Sequence, residues 1–403
     1  IYETKLHDYF NWLRVSICPQ LVEDPMVLSH LEKENNYYKH YFKSYSNFKD
    51  NIFAELKGRI KLSDQSTYKK RDEYFYYSRT ESEKNYPIYA RKKDSISNQE
   101  EILLDVNKLG AFSVNSTHNL LAYSVDYTGN ERYEITIFNI EKKEFLNDKI
   151  ENVIGPIVWH EKIQGFYYAM CDENWRINKI FFHKIGQKQE NDQLILHEKN
   201  ELYNVSVSKT SSKKFISINV SGHDSNEEYL IRMEDNNHQI FLVKKRQDEI
   251  EYSIDHGNGF FLMHTNDNAE NFKILKCDDY KEFAKKENWQ EFIKEDDKKY
   301  LEGFDLSKNY LMLQYNKYAI PEIKVINLNN NDSNTVNFPD QTYTASVYST
   351  NYVEDDIRIN YSSLIRPSTV FKYNPGSKKI AILKEQEIPT GHDPEQYMIE
   401  RIL

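Results

Sequence analysis

Apolar and polar positions alternate over short stretches along most of this chain. Residues 251–275, EYSIDHGNGFFLMHTNDNAENFKIL, show the cadence most clearly. Asp255 to Gly259 forms a turn cluster, and Phe260 to Thr265 is a short apolar, aromatic run of the kind that makes a buried strand. Thr265 to Asn268 breaks it, and Phe272 to Leu275 resumes. The same rhythm begins near residue 70, where Asp72–Arg79 can pair with Tyr86–Arg91 across a polar turn. It continues through Leu120–Val125, Tyr133–Ile140, Gly165–Tyr168 and Ile180–His183, and on to 369–373. Gly-Asn, Ser-Lys and Asn-Pro-Gly occupy the turns. Helices do not alternate with these strands, which excludes a parallel α/β sheet.

A radial β architecture accounts for the repetition. Strands close on similar endings, Thr136–Ile140 (TIFNI) and Lys324–Leu328 (KVINL). A propeller blade takes roughly 40–50 residues, so the stretch 69–395 holds about seven. One Lys/Glu-rich segment around Trp289, residues 278–297, interrupts the rhythm and is expected to be an insertion. Residues 1–68 differ in period. Asp24-Pro25 is a helix start, with Asp as N-cap and Pro at the first position, followed by Leu28, Leu31, Tyr38 and Phe42. A second helix is expected from Asn47, with Phe48, Ile52, Leu56 and Ile60 on one apolar face. The expected fold is therefore mainly β, a seven-bladed β-propeller with an N-terminal α-helical arm, and 396–403 as the start of a linker.

Composition narrows the partners. Over 403 residues, 53 basic and 63 acidic side chains leave a net charge of −10, against a nucleic-acid partner. No apolar run is long enough to span a membrane. Cys18, Cys171 and Cys277 are far apart with no Cys-x-x-Cys, which fits a reducing, cytoplasmic setting. The 31 tyrosines and 21 phenylalanines fall at strand spacing and read as core. Catalytic signatures are missing: there is no Gly-x-Ser-x-Gly, no phosphate loop and no His-Glu-x-x-His. His256 and His264 could be imagined as a metal pair, but a turn histidine and a strand histidine is the simpler reading. No cofactor or metal is expected. Asp172-Glu173 with Arg176 is the densest charge cluster beside an aromatic strand, an ion pair in the first instance.

Several stretches, in order, resemble the oligopeptidase B (protease II) branch of the prolyl oligopeptidase family. His7–Arg14 resembles that family's Asp-Pro-Tyr-x-Trp-Leu-Arg opening, and Leu31–Asn35 its Leu-Glu-x-Glu-Asn helix. Glu73–Arg91, Ile102–Asn107, Leu121–Asp126 and Cys171–Glu173 with Arg176 follow. The most specific match is Glu251-Tyr252, Asp255-His256, Gly259, Thr265-Asn266 and Asn271-Phe272. Glu400–Leu403 looks like the exit from the propeller. Departures are His7-Asp8 in place of Asp-Pro, the unusual segment Val15–Glu23, and Gly-Asn-Gly where the family tends to have Gly-Asp. The resemblance implies the substrate-gating part of a metal-free serine oligopeptidase. Its α/β-hydrolase domain, in the same or a split gene product, would carry the Ser-Asp-His triad and cleave short peptides after Arg or Lys. The present chain, lacking that triad, would be inactive alone, and its arm would pack on the hydrolase domain. Glu131, Arg132, Asp172 and Arg176 are the residues expected on the interdomain face. A stand-alone propeller that binds a protein or peptide is the alternative from another functional class.

Overall fold

A computed structural model describes residues 8–14, 22–278, 283–348 and 351–402. Cys18, His7, most of the Val15–Glu23 segment, part of the expected insertion (279–282) and Leu403 lie outside the described residues. Two compact units are present: one reaches to Lys61 and includes Ile388–His392, and the other comprises Leu62–Glu387 and Asp393–Leu403.

In the first unit, the helix Pro25–Phe42 starts where its sequence predicts, with the Asp24 carboxylate accepting from the Met26 N–H at 2.8 Å. The second helix is Ser46–Gly58, which leaves Ile60 beyond its end. Only Val27 is buried in either helix. Phe48, Ile52, Phe53 and Leu56 are all exposed. No helix among the described residues is long and apolar enough to cross a membrane.

The second unit consists of antiparallel sheets whose strands pair in chain order. The first sheet is Lys69–Arg71, Tyr74–Arg79, Ile88–Lys93 and Glu100–Leu104. The third is Asn204–Lys209, Phe215–Ser221, Asn226–Arg232 and Ile240–Lys244. The fourth is Tyr252–Gly257, Phe260–Thr265, Lys273–Cys277 and Gln290–Ile293. The fifth is Tyr300–Leu306, Tyr310–Lys317, Ile320–Asn327 and Ser333–Thr335; the sixth is Thr344–Val347, Ile357–Ser362, Thr369–Asn374 and Lys379–Glu385.

The second sheet departs from the expected pattern. It has seven strands: Leu109–Val114, Leu120–Val125, Tyr133–Asn139, Glu144–Trp159, Gly165–Cys171, Ile177–Lys184 and Gln193–His197. Five four-stranded blades are thus seen, not seven. The physical reason is Glu144–Trp159, a single strand of 16 residues. Its first half pairs with Tyr133–Asn139 up to Val153, and from Val153 onward it pairs with Gly165–Cys171. Gly155, at φ +83°, carries the backbone through a conformation that other residues rarely adopt.

Apolar layers lie between neighbouring sheets, so the core is radial. Tyr167, Ile180 and Phe182 of the second sheet pack on Val205, Ile216 and Ile231 of the third. Phe215 and Leu230 meet Phe261 and Met263 of the fourth, and Leu262 and Ile274 meet Leu306 and Leu311 of the fifth. Met312 and Val325 meet Ile357 and Tyr361 of the sixth. The sixth sheet meets the first through side chains: Arg358 to Thr67 (3.4 Å), Asn351 to the Lys70 carbonyl (3.3 Å), Lys69 over the Tyr348 ring, and Lys384 to Asp64 and the Gln65 carbonyl. No strand is exchanged across that junction among the described residues. This architecture is a β-propeller.

Two local expectations change. In 251–275 the strand runs to Gly257 and only Asn258-Gly259 turns, both at positive φ (52° and 80°), as a tight two-residue hairpin requires. Asp255 and His256 stay extended because they bind Ser211 and Ser212 of the third sheet (2.7 Å for each closest backbone or ring contact). His256 is therefore a buried strand residue and not a turn residue. His264 points elsewhere, with Nε2 at 2.8 Å from the Leu301 carbonyl, so the two histidines do not converge. The expected insertion shrinks too: Gln290–Ile293 is the outer strand of the fourth sheet, and Trp289 Nε1 donates to the Phe283 carbonyl at 2.7 Å.

Candidate functional site: the loop face and the central channel

Sheets of four antiparallel strands return the chain to the side on which it entered. The unit begins at Leu62 and its sixth sheet ends at Glu385, so entry and exit share one face. The turns between second and third strands lie on that same face by the same topology. The two turns of the second sheet that follow this rule are Asp126–Arg132 and Asp172–Arg176, and they carry all four sequence-predicted residues.

Three of the four come together. Arg132 donates through Nη2 to the Asp172 carbonyl at 3.1 Å and lies 4.9 Å over the Trp175 ring. Arg176 closes its own turn, with its backbone N–H and Nε reaching the Asp172 carboxylate at 3.1 and 3.0 Å. Its Nη1 donates to the carbonyls of Glu198, Asn200 and Tyr203 at 3.3, 2.8 and 3.1 Å, so it fastens the connection into the third sheet. Burial pushes the Asp172 carboxyl up, but the N–H donors of Arg176 and Asn174 outweigh it and hold the group below its ordinary value. Glu131 stands apart: its backbone N–H binds Asp126 at 2.8 Å and its side chain is exposed.

Sequence reasoning missed the apolar rim of this face. Tyr127, Leu202, Tyr318 and Leu364 are exposed by 65%, 77%, 65% and 88%, each in a turn between strands or sheets, and Met398 and Ile402 follow the exit at 78% and 94%. Large apolar side chains at turn positions, where polar residues are usual, were the available signal.

The first strands of the sheets line the central channel. Lys69, Val114, Val158, Lys209 and Leu306, from five such strands or strand halves, border one cavity. Further around the ring the wall is acidic. Asp255 accepts from Ser211, and Asp305 from Gln314 at 2.8 Å. Burial, with the Asp255 charge adding to it, pushes the Asp305 carboxyl up to about 6. Glu228, behind this wall, is raised to about 7 by burial, against the opposing hydrogen bonds of Ser217, Asn219 and the Ile254 N–H. A raised carboxyl favours folding while it is protonated, and that contribution is lost as pH rises from its ordinary value through about 7. At pH 8 a buried charge therefore costs on the order of 3 kcal/mol. Glu228→Gln keeps an oxygen that accepts from Asn219 and the Ile254 N–H, and its amide can donate to the Ser217 hydroxyl, which turns to accept. It should raise stability at pH 8 by about 2 kcal/mol and change little at pH 5. Chemical unfolding at the two pH values checks this, and an equal effect at both would contradict it.

Comparison with known proteins places these features. The family model for "Prolyl oligopeptidase, N-terminal beta-propeller domain" matches residues 1–386. Protease 2 of Moraxella lacunata is 27% identical over 412 residues, covering 98% of this chain and 58% of that protein. Dipeptidyl aminopeptidase BI of Pseudoxanthomonas mexicana is 26% identical over 424 residues, 98% of this chain and 57% of that one. Among solved structures, oligopeptidase B from Leishmania major is similar in fold, with TM-score 0.87 at 24% identity over 98% of this chain and 58% of its own. The chain thus spans under two thirds of the length of these relatives. It belongs to the prolyl oligopeptidase family, as the N-terminal β-propeller part of such a peptidase.

Proposed function

We propose that this chain docks on, and gates access to, the α/β-hydrolase domain of an oligopeptidase B-like serine peptidase acting on short peptides after Arg or Lys. The observation that carries the reading is the placement of exposed apolar side chains. They cover the helices of the first unit and rim the one propeller face through which the chain enters and leaves. Surfaces of this kind are interaction surfaces. Arg132, Asp172, Arg176 and Glu131 supply the polar part of the same face. The blade count is read as seven. Glu144–Trp159 serves first as the outer strand of one blade and then as the inner strand of the next. A buried layer of Ile135, Ile137 and Ile150 against Trp159, Phe166 and Tyr168, between the two halves of the second sheet, supports this. Hydrolysis belongs to the partner domain, and the buried Cys171 and Cys277 suit a reducing cytosol.

The test pairs this chain with a hydrolase domain, such as that of the Moraxella lacunata relative, and measures hydrolysis of a fluorogenic Arg-Arg peptide. Alone, the chain should show no cleavage sensitive to a serine-reactive inhibitor, and the pair should show it. Ile52→Asp with Leu56→Asp, both exposed here, should weaken the pairing at least tenfold, since burying each aliphatic side chain contributes about 1.5–3 kcal/mol. Inhibitor-sensitive cleavage by this chain alone, or no association with the hydrolase domain, would overturn the proposal.

A further inference from the structure

The cavity of about 390 Å³ at the far ends of the first strands opens on the face opposite chain entry. Its charged lining is strongly one-sided. Lys69, Arg71, Lys209, Lys213 and Arg358 surround it, drawn from the first, third and sixth sheets and their turns. Of the carboxylates in the lining, Glu161 pairs with Lys209, whereas Asp72 meets the His118 ring at 2.9 Å and Glu354 the Asn351 amide at 3.4 Å; with Lys70 also present, the lining still sets six cations against three carboxylates. Lys69, Arg71, Lys213 and Arg358 make no ion pair among the described residues. What they do contact is neutral. Lys69 lies 4.4 Å over Tyr348, Arg71 lies 5.5 Å over Tyr76, and Arg358 donates to the Thr67 hydroxyl at 3.4 Å.

The cations are also close enough to feel one another. Burial pushes the Lys209 ammonium below its ordinary value, Glu161 pulls it back, and Lys213 and Arg71 add like-charge repulsion. A chain of net charge −10 gathers a lining with an excess of cations at one channel mouth, and four of them make no ion pair among the described residues. Low-dielectric walls around such a mouth focus the field, and guanidinium and ammonium groups together bind oxyanions in bidentate and point-charge modes.

We propose that this mouth is an oxyanion-binding site, taking the carboxylates of a short acidic peptide or a free phosphate species. It lies away from the docking face, so it stands or falls separately from the hydrolase pairing. The test is calorimetric titration of this chain with tripolyphosphate and, separately, with an oligoglutamate pentapeptide, at low and near-physiological salt. At least one probe should bind, with affinity falling steeply as salt rises. Arg71→Gln with Lys213→Gln, both at exposed positions, should weaken that binding at least tenfold while leaving the thermal transition unchanged. Lys49→Gln with Lys57→Gln, on the second helix, should leave it unaltered. Binding of only one probe identifies the source of the anion. Binding of neither, or equal binding by wild type and the Arg71/Lys213 variant, overturns the proposal.

Discussion

His183→Leu should lower the unfolding free energy by about 3–5 kcal/mol at pH 6, the usual cost of removing one partner from a buried charge cluster. The His183 ring is fully buried between two carboxylates, with Nδ1 at 2.7 Å from Asp192 and Nε2 at 3.0 Å from Asp148. Asp192 also accepts from the Tyr168 hydroxyl at 2.8 Å. Burial alone would lower the imidazole, but the bonds to Asp192 and Asp148 outweigh it and raise it above its ordinary value. A raised histidine stabilises fully below the ordinary value of about 6.5, and that contribution is lost as pH rises through the folded value. The gap between wild type and variant should therefore be widest near pH 6 and narrow toward pH 9. Denaturant unfolding at both pH values measures it. Adding Asp148→Asn and Asp192→Asn to the leucine variant should recover much of the loss, because the stranded charges go with it. A gap that widens with pH would show that the ring is neutral in the folded protein.

Trp159→Ala should cost about 3–5 kcal/mol through lost transfer energy and the cavity left behind. The indole is 2% exposed, meets Phe166 edge-on at 5.2 Å, and donates from Nε1 to the Ser113 carbonyl at 2.9 Å. That bond ties the end of the 16-residue strand back to the first strand of the same sheet. Trp159→Phe would keep much of the packing and strand only the carbonyl, at about 1–3 kcal/mol. Thermal melts of the two variants separate packing from hydrogen bonding. Equal losses would mean that the cavity is refilled and the bond carries the effect.

Local chemistry made much of the fold readable. The Asp24-Pro25 start, the four-residue apolar step from Phe48 to Leu56, and the strand cadence of 251–275 all act over a few residues, and the structure keeps them. What failed to show depends on distant pairing. The pairing of Glu144–Trp159 with one neighbour before Val153 and another after it, so that one strand runs through Gly155, has no local signal. Asp255 and His256 look like turn residues because the serines that hold them extended are 44 positions away. The site divides in the same way. Asp172 and Arg176 are four apart and visible as a charge cluster. The apolar rim of the loop face could not be told from strand core by pattern alone. The cations of the channel mouth span residues 69 to 358, and only the closing of the ring brings them together.

The junction between the first and last sheets has a mechanical consequence. The other junctions between sheets bury an apolar layer, whereas here the described contacts are a few side chains, most of them charged and each worth about 1 kcal/mol or less. The propeller is thus a hoop with one soft joint. Strain on the ring, whether from a pulling force or a bulky guest in the channel, should concentrate at Asp64, Arg358 and Lys384 before any blade yields.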